Sequence, residues 1–574
     1  MRHKIIAAIM AIAGCVGSGS PTDTEFRVDI AEESSDAQFI TFETEHVRPL
    51  ALGSNGSRLY AVNTPDNRLE IFDVDDDELE HVASVSVGLE PVAVAVVGST
   101  VWVVNHLSDS ISVVDVSNGA RKNSVIRTLL VGDEPRDIVV AGTAAHPRAF
   151  VTTAHRGQNV PYDPQLTTPS VGRADVWVFD TKNLGATLEG SPIKILTLFT
   201  DSPRALAVSP DGHTVYAAGF HTGNKTSCVS TSTTSQVGLP PPTTNFQGLE
   251  DPSPFGILGK NGLIVKHDGA HWVDELGRNF DTAINFTLPD KDVFRINATA
   301  NPPVVTAEYA SVGTVIFNLA VNPSSGKLYA TNTEAFNDVR FEGPGTFTGE
   351  PNVRGHLHES RVTVINPGTG AVIPRHLNKH IDYSACCGPV GTAEAENSLA
   401  FPTAAAVTSN GATMYVAAFG SSKIGVFATA QIEADTFVPN SANHIEISGG
   451  GPSGVVLNDD EDRLFVMTRF DNSIKIVDTA SKIEIGAVPL YNPEPASVVV
   501  GRPMLYDARF TSTHGDSACA SCHVFGNFDG LAWDLGNPDN TEIPNPGPLT
   551  NPVAPIPGLE TFANFNPLKG PMVT

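Results

Sequence analysis

The sequence predicts a mainly β protein: a seven-bladed β-propeller with a capping insertion, followed by a small helical segment. Three observations carry this. One sequence unit recurs seven times between about residues 45 and 485. Within each unit apolar residues alternate with the period of a packed strand, and no helical period of note interrupts them. The composition is turn-rich, with 50 glycines and 42 prolines in 574 residues, which suits short strands joined by tight turns.

The unit opens on Pro and an apolar alternation, turns, runs through a Leu/Val-Tyr-Val-x-Asn strand, and closes on a second alternating strand that often ends in Asp. Unit one contains Pro49, Leu59–Asn63 and Leu69–Asp73; unit two contains Pro91–Val97, Val101–Asn105 and Ile111–Asp115. Unit three has Pro135, Phe150–Thr153 and Val176–Asp180, and unit four has Pro203–Pro210, Val215–Ala218 and Val293–Phe294. Unit five has Phe317–Pro323, Leu328–Asn332 and Val362–Ile365, and unit six has Pro402–Val407, Met414–Ala417 and Ile424–Phe427. Unit seven has Pro452–Leu457, Leu464–Met467 and Ile474–Asp478. Units that cannot bury their faces alone stack into a ring. The motif resembles the YVTN-type repeat of bacterial surface propellers, a resemblance informative about fold and not about activity.

Units three, four and five carry insertions between their second and third strands, at about 155–172, 221–291 and 333–358. Equivalent loops of neighbouring blades leave on one face, so the three together predict a cap over one sector. The middle insertion holds Trp272, Phe280 and Phe286, enough for a small packed unit. His106, His155, Arg156, His221 and Arg469 fall at second-strand exits, and His356 and His358 close the third insertion. A metal or anion site at the last pair competes with ordinary hydrogen-bonded loop histidines.

The net charge is −27, which excludes nucleic acid as a natural partner and disfavours an anionic membrane surface. Arg2, His3 and Lys4 precede an apolar run from Ile5 to Ala13, too short to span a bilayer, and then Ile12-Ala13-Gly14-Cys15. That pattern resembles a bacterial lipoprotein box, which implies lipidation of Cys15 and anchoring at the cell envelope, the outer membrane facing periplasm or cell surface. The expected organisation is a leader over 1–14, a polar tether over 15–40, the propeller over 41–497 and a distinct segment over 498–574. Export permits a disulfide, and Cys228 with Cys386 or Cys387, or the vicinal Cys386–Cys387 pair, are the alternatives.

The distinct segment contains Cys519-Ala520-Ser521-Cys522-His523. Two thiols three residues apart with an adjacent imidazole form the attachment site of a c-type haem: Cys519 and Cys522 bind the haem covalently and His523 meets the iron from the proximal side. A zinc site would need two further ligands, and no second Cys pair or His pair lies nearby. Upstream, Gly501-Arg502-Pro503-Met504-Leu505-Tyr506-Asp507-Ala508-Arg509-Phe510 leads into the motif. This run resembles the opening of the di-haem cytochrome c peroxidase/MauG-like family. The resemblance implies an α-type cytochrome c segment, incomplete here because the family carries two haems and this sequence has one motif. Met572 is the candidate distal ligand, with Met504 or His514 behind it, or the sixth position is open. Trp533 is a candidate aromatic neighbour.

Three readings follow. The first is an exported haem protein for electron transfer with the propeller as docking platform, a redox partner protein, and a second polypeptide completing the haem domain; peroxidase chemistry by this chain alone would lack the second haem. The second is a binding lipoprotein with a vestigial haem segment. The third is a lactonase-like hydrolase, for which the sequence offers no nucleophile–base pair.

Overall fold

The computed structural model describes residues 43–75, 78–160, 172–229, 263–273, 277–284, 290–336, 356–383, 392–526, 532–533 and 572–573. The seven units are seven four-stranded antiparallel blades, built from consecutive strands except in blade four, where the three strands of the insertion intervene. Blade one runs from Leu50 to Ser86, two from Pro91 to Leu130, three from Ile138 to Leu198 and four from Asp201 to Tyr309. Blade five runs from Val315 to His376, six from Pro402 to Glu446 and seven from Pro452 to Pro489. A single bridge, His221 to Val315, joins blades four and five.

Alternation decides which neighbour each side chain meets. In the second strand of blade two, Val101 and Val103 pack against Tyr60, Val62 and Ile71 of blade one. Trp102 and Val104 point the other way, into Ala149, Val151 and Trp177 of blade three. Both faces are buried, so the strand reads as nearly continuous apolar sequence. Similar clusters join blades three and four, four and five, five and six, and six and seven. A seventh, in which Leu59 and Phe72 meet Phe465 and Ile474, joins blade seven to blade one and closes the ring.

Among the described residues no blade is shared between the two ends of the ring. Closure therefore rests on that last apolar interface and on the stretch before blade one, which is stitched along the inner strands. Arg48 bridges to Ala93 and its guanidinium forks onto Asp137, 3.0 Å to each oxygen. Asn318 donates to the Val47 carbonyl at 3.0 Å and Arg204 to the His46 carbonyl at 2.6 Å. The His46 ring lies 2.7 Å from Ser453 Oγ and 2.6 Å from Thr64 Oγ1. Blades one, two, three, four, five and seven are thus tied to one short segment.

All three insertions lie between second and third strands, as the repeats predict. The middle one forms a small sheet of Thr226–Val229, Leu263–His267 and Trp272–Val273, with Val265, Trp272, Phe280 and Ile284 as its packed centre. Phe286 falls outside the described residues.

After blade seven come a helix at Ala496–Tyr506 and a single turn at Ala508–Thr511. Asp507 caps the second, accepting the Arg509 N–H at 2.9 Å. The Cys-x-x-Cys-His motif follows on a short 3-10 turn, Cys519–Ser521.

Candidate functional site at the propeller mouth

The C-terminal segment lies on the face that carries the insertions, over the inner ends of the blades. Its anchor is aromatic. Phe220, Phe317, Phe401, Phe419 and Phe470 come from blades four to seven, at first-strand starts and just past second strands, and with Tyr506, Ala520 and Val524 they form one cluster. Phe525 enters this collar, its ring centroid 5.4 Å from Phe401, 6.0 Å from Phe419, 6.2 Å from Phe220 and Tyr506, and 6.4 Å from Phe317. Its backbone is left-handed, with φ 52°, a conformation costly for a bulky residue and held here by the packing around it.

Polar contacts fix the rest. Glu494, nearly fully buried, takes Arg469 at 2.9 Å and Arg502 at 2.7 Å, and Arg502 also reaches Glu43 at 3.0 Å. Burial alone would raise the Glu494 carboxyl, but hydrogen bonds and charge from the two arginines hold it at about 2. Ser422 donates to Asp507 at 2.9 Å, Tyr383 to Asp516 at 2.9 Å, and Ser398 to the His514 carbonyl at 2.6 Å.

This docking decides how the motif is presented. Ala520, Ser521 and Val524 are buried toward the propeller, whereas Cys519 and His523 are exposed and Cys522 is half-buried. Cys522 packs beside Ala335 and Leu357 at the root of the blade-five insertion. The backbone closes the turn, with the His523 N–H donating to the Cys519 carbonyl at 3.1 Å.

Beneath Phe525 lies a buried charged cluster. Glu45 accepts from Arg136 at 3.0 Å and pairs with Arg204 at 3.1 Å. Arg204 stacks over the Phe220 and Phe525 rings, 4.9 and 5.2 Å from their centroids. Burial pushes Arg204 down to about 10. Burial, with Arg136 adding to it, drives His221 down to about 3 and lowers His106 also. The His221 Nε2 and Arg136 Nη1 atoms are buried without partners.

The residues expected at second-strand exits do gather at this face. His106 and His221 border the Glu45 cluster, Arg156 pairs with Asp133 and Glu134, His155 with Asp175, and Arg469 with Glu494. His356 stacks on Tyr383, 3.8 Å between centroids, and His358 lies 2.9 Å from Ser517 Oγ: the hydrogen-bonded alternative describes both. Among the described residues no group of three His, Cys, Asp or Glu is arranged to hold a metal ion. Met572 sits in a two-residue strand paired with Trp533. Cys228 lies in the insertion strand Thr226–Val229, and Cys15, Cys386 and Cys387 fall outside the described residues.

Glu45, Arg136, Arg204 and Phe525 were not singled out from sequence. The available signal was the row of phenylalanines at blade ends, positions where an unoccupied mouth would carry polar groups.

Fold and site together define a seven-bladed β-propeller whose mouth is covered by its own C-terminal segment. Over residues 24–219 the chain matches the family model described as lactonase, 7-bladed beta-propeller. Among solved structures it is similar to Kuenenia stuttgartiensis hydrazine synthase, at 16% identity and TM-score 0.46, covering 78% of this chain and 99% of that one. It is also similar to a candidate 6-phosphogluconolactonase from Bacteroides fragilis, at 11% identity and TM-score 0.41, covering 71% and 85%. A third is the dihydro-heme d1 dehydrogenase NirN in complex with DHE, at 12% identity and TM-score 0.36, covering 78% and 66%. These are likenesses of fold. No curated protein matches the chain.

Proposed function

We propose that this chain is an exported c-type haem protein for electron transfer, with the propeller as the rigid platform that holds and covers one side of the haem-attachment turn. The observation that carries the reading is the presentation of the motif. Its backbone is pinned on the collar through Ala520, Val524 and Phe525, while Cys519 and His523 face out. The donor set fits a haem c: two thiols three residues apart on one turn with an imidazole next in sequence. Cys519 and Cys522 would bind it, His523 would hold its iron, and Ala335 and Leu357 beside Cys522 would supply apolar contact. The haem would supply a reversible one-electron change at iron, its potential set by ligation and burial. The propeller's part is mechanical and electrostatic: the Glu494–Arg502 pair and the aromatic collar keep the turn from moving and shut water out beneath it.

The distal ligand, a redox partner protein, a second polypeptide and lipid anchoring through Cys15 belong to the same reading. The test is an absorption spectrum after expression with a c-haem maturation system. A haem that survives denaturation, and is lost in a C519A/C522A variant, supports it. Absence of covalent haem in the wild-type protein overturns it.

The match over residues 24–219 favours lactone hydrolysis as a second reading. Against it, Glu45 already carries two guanidiniums and burial drives His221 beside it down to about 3, far below the range of an effective base. Hydrolysis of 6-phosphogluconolactone by the C519A/C522A variant would establish that reading.

A further inference from the structure

We propose that the cleft between blades four and five binds a small solute bearing an ammonium group beside hydrogen-bonding oxygens, with Asp292 receiving the ammonium. The cleft encloses about 440 Å³ at the root of the blade-four insertion, within the ordinary range of small-molecule sites, about 300–1,000 Å³.

The charges lining it sort into spent and unspent. Lys225 lies 3.2 Å from Asp290, which also accepts the Ser311 N–H at 2.5 Å and hydroxyl at 3.1 Å. Arg361 donates to Glu359 at 2.6 Å and lies 3.6 Å from Glu334. These groups serve each other. Asp292 does not fit the pattern. It is fully buried; its Oδ2 accepts the N–H groups of Val312 at 2.7 Å and Gly313 at 3.4 Å, and its Oδ1 is buried with no partner. Leaving such an oxygen unmet is costly.

A cation is the natural complement. Burial, reinforced by Asp290, raises the Asp292 carboxyl well above its usual range. The insertion strand contributes the opposite chemistry. Lys266 is exposed. The His267 Nδ1 accepts the Gly269 N–H at 3.2 Å, which leaves the ring's own proton on Nε2 to be donated. A ligand with an ammonium at one end and a carboxylate or hydroxyls at the other matches this pairing. Amino acids and amino sugars share that chemistry.

The experiment is isothermal titration of the full chain with L-glutamine and with D-glucosamine, each against its N-acetyl derivative. Binding of an amine with its acetylated form at least about tenfold weaker is expected, since one charged hydrogen bond is lost. Glutamine alone would assign an amino-acid site, glucosamine alone an amino-sugar site. D292N keeps an oxygen for Val312 and Gly313 and should weaken binding about tenfold or more. K266A, at an exposed position, should weaken binding about threefold or more without changing the melt. The proposal fails if neither amine binds at millimolar concentration, if the acetylated forms bind equally well, or if D292N binds the amine as tightly as the wild type.

Discussion

Glu494→Gln isolates the strongest polar link between propeller and C-terminal segment. Glu494 receives both Arg469 nitrogens, at 3.1 and 2.9 Å, and both Arg502 nitrogens, at 3.0 and 2.7 Å. Its side chain is 2% exposed and those of Arg469 and Arg502 are 4% and 1%. The amide keeps the shape and removes the charge, so two buried guanidiniums face each other, with Glu43 on Arg502 and Glu90 near Arg469 as the remaining carboxyls. Removing one partner of a buried pair costs about 3–5 kcal/mol. Because Arg502 stands on the helix Ala496–Tyr506, the cost should fall on docking of that segment and leave the blades intact. At the lower figure, amide exchange across residues 496–526 should accelerate roughly a hundredfold, with blade strands unchanged. The same carboxyl gives a pH signature. Its folded value of about 2 lies below the ordinary 4.5, so its contribution is complete above about pH 4.5 and fades as the pH falls toward 2. E494Q should lack that fading. Equal exchange in variant and wild type at neutral pH would refute the argument that this charge holds the segment down.

Phe525 offers an inverted glycine effect. F525A loses the ring from the collar and should weaken docking by about 2–3 kcal/mol. F525G loses the same ring but suits φ 52°, so it should dock better than F525A by about 1 kcal/mol, read as relative protection from limited proteolysis. H46A removes the links to Ser453 and Thr64 and should lower the stability of the closed ring by about 2–4 kcal/mol in denaturant. Burial and Arg469 hold His46 well below 6.5; the unfolded chain protonates first, so stability falls as the pH drops below about 6.5, and H46A should show a shallower decline.

The ring was legible because both faces of each inner strand are buried, as in Thr100–Asn105, where every apolar residue had a periodic place. The outer strands were not. Ile483–Pro489 alternates between exposed and half-buried residues, and a strand with one neighbour carries little apolar signal. The Cys-x-x-Cys-His motif was legible because its chemistry is local. Its seat was hidden because the collar is assembled from Phe220, Phe317, Phe401, Phe419 and Phe470, which only ring closure brings together. Glu45, Arg136 and Arg204 are likewise brought together only by the ring.

The junction of Glu43 with Arg502 and Tyr506 joins residues more than 450 positions apart, and it has a consequence for biosynthesis. Blades can form in turn as the chain grows, but the inner edge cannot be sealed until the last of these residues is made. At about 5–20 residues per second, roughly 20–90 seconds separate the two ends. Each collar phenylalanine, from Phe220 to Phe470, faces water from the time it is made until Phe525 follows, and the growing chain is a substrate for whatever holds nascent proteins apart.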